Sequence, residues 1–180
     1  MTRQSEAALE EQLLIQLKNL GYKPVSITSE QDLLANLKLQ LEAHNWVELS
    51  DKEFKRILNI LNKGTVFERA KTLRQKQQIE RDNGDILYFD FLETHAWCKN
   101  RFQVTNQITI DGKYQNRYDV TILINGLPLT QIELKRRGCE MAEAHRQILR
   151  YKQHSFSSGS GLFQFVQLFV ISNGVNTKYF

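Results

Sequence analysis

The chain has 180 residues, of which 41% are hydrophobic and 24% charged, with a net charge of +4. That length and composition suit one large domain or two small ones with a real core, and the mild positive charge permits a polyanionic partner without demanding one. No apolar run approaches the roughly 18 residues of a membrane span, no apolar signal segment opens the chain, and Cys98 and Cys139 stand alone without a Cys-x-x-Cys pair; neither a zinc site nor a disulfide framework is indicated, and a reducing cytoplasm is the default location.

Residues 5–20 read as a helix, with Leu9, Leu13, Leu17 and Leu20 at helical spacing and Gly21 as the stop. Glu10 borders that apolar stripe, where a solvated first-turn acid favouring the helix N-terminus is the ordinary reading. Residues 22–27 form a short extended piece. Ser29 then caps a second helix whose apolar face is Leu33, Leu34, Leu37 and Leu41. Ser50 and Glu53 form a capping box that opens a third, with Phe54, Ile57, Leu58 and Leu61 as its stripe and Gly64 as its end. Nine lysines and arginines against three glutamates lie between Lys52 and Arg81; they read as a solvated helix surface or as a phosphate-facing flank.

At Asn83-Gly84 the pattern changes to strands. Residues 85–91 alternate, and 97–110 contain a second strand that ends at an Asp111-Gly112 turn. Residues 118–124 and 129–135 are the next two strands. Residues 140–153 form a helix, 157–161 a flexible Ser/Gly loop, and 165–172 a continuous apolar run expected to be a strand buried on both faces. Asn173-Gly174 turns into a last strand that the chain breaks off, so the polypeptide is expected to be a fragment of a longer one. Helices first, then strands with one helix between them, make an α/β class domain over 1–180, mostly helical in 1–82 and strand-rich in 83–180.

The chemistry concentrates in the hairpin. Side chains alternate along a strand, so Asp119 and Thr121 share one face, as do Gln131, Glu133 and Lys135, and the apolar residues between them face helices. Two carboxylates at close range repel, and a hard divalent cation relieves the repulsion; Mg²⁺ takes oxygen ligands and keeps several waters. A lysine on the same face stabilises developing negative charge. The set suits phosphodiester hydrolysis, although the three residues alone also suit an exposed cross-strand salt bridge. Register decides. A regular two-residue Asn125-Gly126 turn sets Asp119 opposite Ile132 and separates the acids, whereas an odd loop or a bulge brings them together. Pro128 cannot donate to a ladder, which predicts a loop of three or five residues. Gln147 and Tyr151, four residues apart, share a helix face; Arg146 and Arg150 lie on a neighbouring face within reach of phosphates.

Asp119 followed by Glu133-Leu134-Lys135 and then Gln147-x-x-x-Tyr151 resembles the PD-(D/E)xK nuclease superfamily in its RecB-like branch. The longer string N-R-Y-D-V-T-I-L-I-N-G-L-P-L-T-Q-I-E-L-K-R-R-G, with Q-I-L-R-Y, F-V-I-S-N-G and the opening S-E-A-A-L-E-E-Q-L, looks like the N-terminal nuclease region of the R subunit of type I restriction-modification enzymes. The resemblance implies a restriction-endonuclease-like mixed central sheet flanked by helices with an added N-terminal helical layer. It implies that Asp119 and Glu133 bind Mg²⁺, that Lys135 is the catalytic lysine, and that Gln147 and Tyr151 support cleavage. An acid on the first helix also approaches the metal in such nucleases; Glu10 fits best, with Glu6 as the second choice. Tyr118 stands where the superfamily often has Pro.

The implied activity is cleavage of double-stranded DNA after ATP-driven translocation by a motor in the same subunit, assembled with modification and specificity subunits. The sequence has no G-x-x-x-x-G-K-[ST], so it carries no ATP site of that kind. The competing readings are a catalytically inactive module that docks DNA or partner subunits, and a stand-alone structure-specific nuclease.

Overall fold

The computed structural model describes residues 5–110, 116–138, 146 and 161–180. It divides into two compact units, one of Met1–Leu33, Phe102–Leu123 and Leu127–Phe180, the other of Leu34–Arg101 and Ile124–Gly126.

The first unit is built on a six-stranded sheet. In chain order its strands are β1 (Lys23–Pro24), β4 (Phe102–Ile110), β5 (Asn116–Ile124), β6 (Leu127–Leu134), β7 (Leu168–Ser172) and β8 (Thr177–Tyr179), and they are neighbours in that order. β1 runs parallel to β4 and β6 parallel to β7, while β7 and β8 are antiparallel, so the sheet is mixed as expected. Helix α1 (Glu6–Asn19) starts where the Ser5 side chain accepts the Ala8 N–H at 3.2 Å, and ends before Gly21, whose φ of 95° only glycine adopts readily. Its Leu9 and Leu17 bury with Val104, Val120, Ile132 and Leu134 of the sheet, and Leu13, Leu14, Ile122 and Val170 pack against them. The apolar hairpin face therefore does pack on a helix. Leu20 is 75% exposed: it is the cap residue, past the turn that carries the stripe inward.

The run 165–172 departs from the strand buried on both faces. Leu162–Phe165 is a short 3₁₀ turn that buries Leu162, Phe163 and Phe165, and within β7 only Ile171 is fully buried. β7 lies one place in from the sheet edge, and β8 beyond it is exposed at every residue.

The second unit holds most of α2 (Glu30–Asn45), then α3 (Asp51–Leu61), α4 (Val66–Arg74) and the antiparallel hairpin of β2 (Gln77–Glu80) with β3 (Ile86–Phe89). Leu37, Leu41, Leu49, Ile57, Leu61, Leu73, Ile79, Phe89, Phe91 and Leu92 are its buried apolar residues. The capping box at Ser50 and Glu53 is present, and a second one, Thr65 with Glu68, opens α4 inside the basic stretch. Arg56, Lys76 and Arg81 of that stretch pair with Asp82, Asp90 and Glu53.

The loop between β5 and β6 has two residues, Asn125 and Gly126, with φ of 49° and 82°. Positive φ at both positions is the type I′ hairpin turn, so the expected loop of three or five residues is not formed. The Asn125 side chain explains the choice. Its amide donates to the Phe91 carbonyl at 2.9 Å and to Asn100 Oδ1 at 2.8 Å, and its oxygen accepts the Arg101 N–H at 2.8 Å. Pro128 becomes a buried strand residue rather than part of the loop.

Candidate active site

A regular ladder from a two-residue turn pairs Ile124 with Leu127 and sets Thr121 opposite Thr130. Instead the Thr121 hydroxyl donates to Gln131 Oε1 at 2.7 Å. Opposed residues share a face and successive ones alternate, so β6 takes up one extra residue between Leu127 and Gln131. Its burial breaks alternation there, with Leu127 and Pro128 both buried and Leu129 and Thr130 both half-buried. This is a bulge, and beyond it Asp119 and Thr121 lie on the same face as Gln131 and Glu133.

The two acids meet as a result. Asp119 Oδ2 accepts the Leu134 N–H at 2.8 Å. The Glu133 carboxylate accepts the Asp119 backbone N–H and, through Oε1, the Gln131 amide at 3.2 Å. Glu133 is 0% exposed, so the site is not an exposed cross-strand salt bridge. Burial pushes its carboxyl up to about 8; the Asp119 charge adds to the rise, and Lys135 and the Gln131 hydrogen bond oppose it. Burial also raises Asp119, against the Leu134 N–H and the Lys135 charge, with Glu10 and Glu6 of α1 adding to the rise. Lys135 is half-buried, and its backbone N–H is fixed on the Ser172 carbonyl at 2.9 Å.

Glu10 and Glu6 of the first helix lie near enough to Asp119 for their charges to act on it. Glu10 Oε1 accepts from Asn106 Nδ2 at 2.5 Å and from Gln107 Nε2 at 3.1 Å, so Glu10 is not a freely solvated first-turn acid. Glu6 Oε1 accepts the Arg136 N–H at 3.1 Å. Arg146 is helical and exposed; Gln147, Arg150 and Tyr151 lie outside the described residues.

No group of three or more His, Cys, Asp or Glu among the described residues is gathered tightly enough to cage a metal ion. The donor set is a pair of carboxylates, both held up in their proton affinity and both with neighbouring acids. It fits a cation that takes one or two carboxylates and keeps its waters, as Mg²⁺ does, better than one needing a complete protein cage. Thr121 and Gln131 were visible in the sequence as members of the two facing rows, but their hydrogen bond was not. Asn106 and Gln107 carried no sequence signal.

A family model described as the N terminus of the type I restriction enzyme R protein matches residues 3–180. The chain is similar to the type I restriction enzyme SsaAORF53P endonuclease subunit of Staphylococcus saprophyticus, at 50% identity over 99% of this chain and 20% of that protein. It is similar to the type I restriction enzyme EcoprrI endonuclease subunit of Escherichia coli at 41% identity, covering 98% of this chain and 58% of that one. A putative type I restriction enzyme MjaIXP endonuclease subunit of Methanocaldococcus jannaschii is 26% identical over 95% of this chain. The chain spans 20% of the length of the staphylococcal relatives it matches.

Proposed function

Because the chain belongs to the family of type I restriction enzyme R protein N termini, we propose that it is a Mg²⁺-dependent endonuclease domain of the PD-(D/E)xK kind that hydrolyses double-stranded DNA. The observation that carries this reading is the meeting of half-buried Asp119 with fully buried Glu133 on one strand-pair face, the Leu134 N–H bonding Asp119 beside Glu133 and Lys135 close to both. A purely structural module has little use for two neighbouring acids whose charged forms are disfavoured by burial, whereas a cation-binding nuclease needs them.

When bound, Mg²⁺ would lower the pKa of a coordinated water and neutralise charge on the scissile phosphate. Asp119 and Glu133 would hold it through carboxylate oxygens. The Leu134 N–H on Asp119 and the Gln131 amide on Glu133 orient those carboxylates in advance. Lys135 presents a cation on the same face, where negative charge builds on the phosphate. Glu10 would be the first-helix acid that approaches the cation, with Gln147 and Tyr151 the accessory pair and Arg146 and Arg150 contacting DNA phosphates. ATP-driven translocation belongs to a motor elsewhere in the complete subunit, and the modification and specificity subunits are its partners in the cytoplasm.

The test places Asp119→Ala and Lys135→Ala separately in the complete subunit, assembled with its partners, and assays DNA cleavage and ATPase side by side. Loss of cleavage with ATPase retained is the expected result for both. Cleavage that survives either substitution rejects the assignment.

A further inference from the structure

We propose that Asn106 and Gln107 are positioning residues that hold the Glu10 carboxylate toward the cation of the Asp119–Glu133 pair, and that β4 is distorted in order to do so. The proposal rests on the Mg²⁺ reading of that pair.

The distortion is the first observation. Gln107 has φ 55°, left-handed backbone inside a nine-residue strand. A glutamine gains nothing from that conformation by itself, and a non-glycine residue there is strained. The second observation is what the distortion accomplishes. Side chains of consecutive strand residues point to opposite faces, yet Asn106 Nδ2 and Gln107 Nε2 both reach Glu10 Oε1, at 2.5 and 3.1 Å, and Gln107 reaches Oε2 at 3.4 Å. Only a residue that breaks the alternation lets both amides converge on one carboxylate.

Anchoring α1 does not require this. The helix is already fixed by Leu9 and Leu17, buried against Val104, Val120, Ile132 and Leu134. What the two amides add is direction: they fill the acceptor positions of Oε1 and stop the carboxylate rotating. Strain kept at a polar contact beside an acid pair, and nowhere else in β4, is the pattern of a preorganised site. Glu10 also adds to the rise in the proton affinity of Asp119, so its charge is felt there.

The probe is Mg²⁺ alone, titrated into this chain by calorimetry without DNA, with melting temperatures taken in chelator. Gln107→Gly and Gln107→Asn both tolerate left-handed backbone, and both withdraw the amide from Glu10. Each is expected to weaken Mg²⁺ binding about tenfold, as loss of a partner to a metal-site residue does, with a melting temperature within about 4 °C of the parent. In a Glu10→Gln background, Gln107→Gly is expected to have no further effect on Mg²⁺ affinity, because its only route to the metal is gone. Unchanged affinity in both Gln107 variants, or an equal loss with and without Glu10, overturns the proposal. So does a much larger fall in melting temperature in both variants, which makes the contact structural. Asp119→Ala separates the two levels of inference. If it abolishes Mg²⁺ binding while the Gln107 variants do nothing, only the positioning role falls; if Mg²⁺ binding is absent or indifferent to Asp119, the nuclease reading falls with it.

Discussion

The Thr121 hydroxyl donates to Gln131 Oε1 at 2.7 Å, and both residues are 0% exposed. The bond settles which way the Gln131 amide faces: with its oxygen taken, its nitrogen is left for Glu133 Oε1 at 3.2 Å. Thr121 thus acts on Glu133 through Gln131. Thr121→Val keeps the shape and removes the donor, at an expected loss of about 1 kcal/mol in urea unfolding. Gln131→Leu removes the hydrogen bond that favours the charged carboxylate, so the Glu133 carboxyl should titrate at higher pH than in the parent. Carboxyl-carbon NMR in chelator reads that shift directly; a Glu133 titration that moves down or stays in place in Gln131→Leu refutes the chain of contacts.

Stability without metal should fall as pH rises through the Glu133 window. The ordinary glutamate value is 4.5 and the folded value is about 8. Between them the folded state holds a proton that the unfolded state has released, so unfolding becomes easier with rising pH, on the order of a few kcal/mol in total. Asp119 is raised too and acts in the same sense above its own ordinary value. His44 is lowered by burial and acts in the opposite sense below 6.5, so the comparison that isolates Glu133 is with Glu133→Gln. That variant should melt higher than the parent at pH 8.5 in chelator, and its melting temperature should change less between pH 5.5 and 8.5. A parent protein with no greater pH dependence than Glu133→Gln would show that the buried carboxyl is not held protonated.

The leucine stripes of α1 and α2, the capping box at Ser50 and Glu53, and the two faces of the β5–β6 hairpin were all legible, because each depends on residues close in sequence. The Asn125-Gly126 turn is legible as a turn, but the missing N–H of Pro128 argues for loop and against a ladder; in the fold it is a buried strand residue next to the bulge. A one-residue bulge leaves no mark in the sequence pattern; the Thr121–Gln131 contact and the broken burial alternation of β6 reveal it. The burial of Glu133 was hidden for a related reason: Glu-x-Lys at the end of a strand reads as surface until β5 and β7 are paired on either side of it. Helix α4 carries Thr65 and Glu68 at capping-box spacing, a signal masked by the density of basic charge around it. The left-handed Gln107 answers to Glu10, 97 residues away, and nothing local to β4 encodes it.

Glu53 is a structural acid, and its prediction has the opposite sign. Its carboxylate accepts the Ser50 N–H at 3.0 Å, the Asp82 N–H at 3.1 Å and Arg81 Nε at 3.0 Å. The Arg81 hydrogen bond, followed by the Ser50 N–H, holds its carboxyl down at about 2, below the ordinary 4.5. Here the unfolded state takes up the proton first. The stabilisation is therefore complete above pH 4.5 and is lost as pH falls toward 2. Glu53→Ala should cost roughly 1–3 kcal/mol at pH 7, since it strips the capping box and leaves Arg81 without its partner. The gap between variant and parent should narrow at pH 3. Urea unfolding at the two pH values checks both statements, and a gap that widens in acid contradicts the assignment of Glu53 as the acceptor.

Gly126 is the tightest point of the turn that precedes the bulge. Its φ is 82°, and a Cβ there would stand 2.7 Å from the Leu37 Cα, with the Leu37 nitrogen at 3.2 Å and the Asn36 carbonyl oxygen at 3.3 Å. These are backbone atoms of α2 and cannot swing aside. Gly84 offers the control: its φ is 88° but nothing lies within 4 Å of the added Cβ. Gly84→Ala should cost about 1 kcal/mol for the conformation alone. Gly126→Ala adds overpacking against a helix backbone and should cost about 2–4 kcal/mol. The difference between the two variants in urea unfolding measures how closely the hairpin turn is seated. Equal costs would mean that α2 does not press on the turn, and that Asn125, through Phe91, Asn100 and Arg101, holds it in place without help.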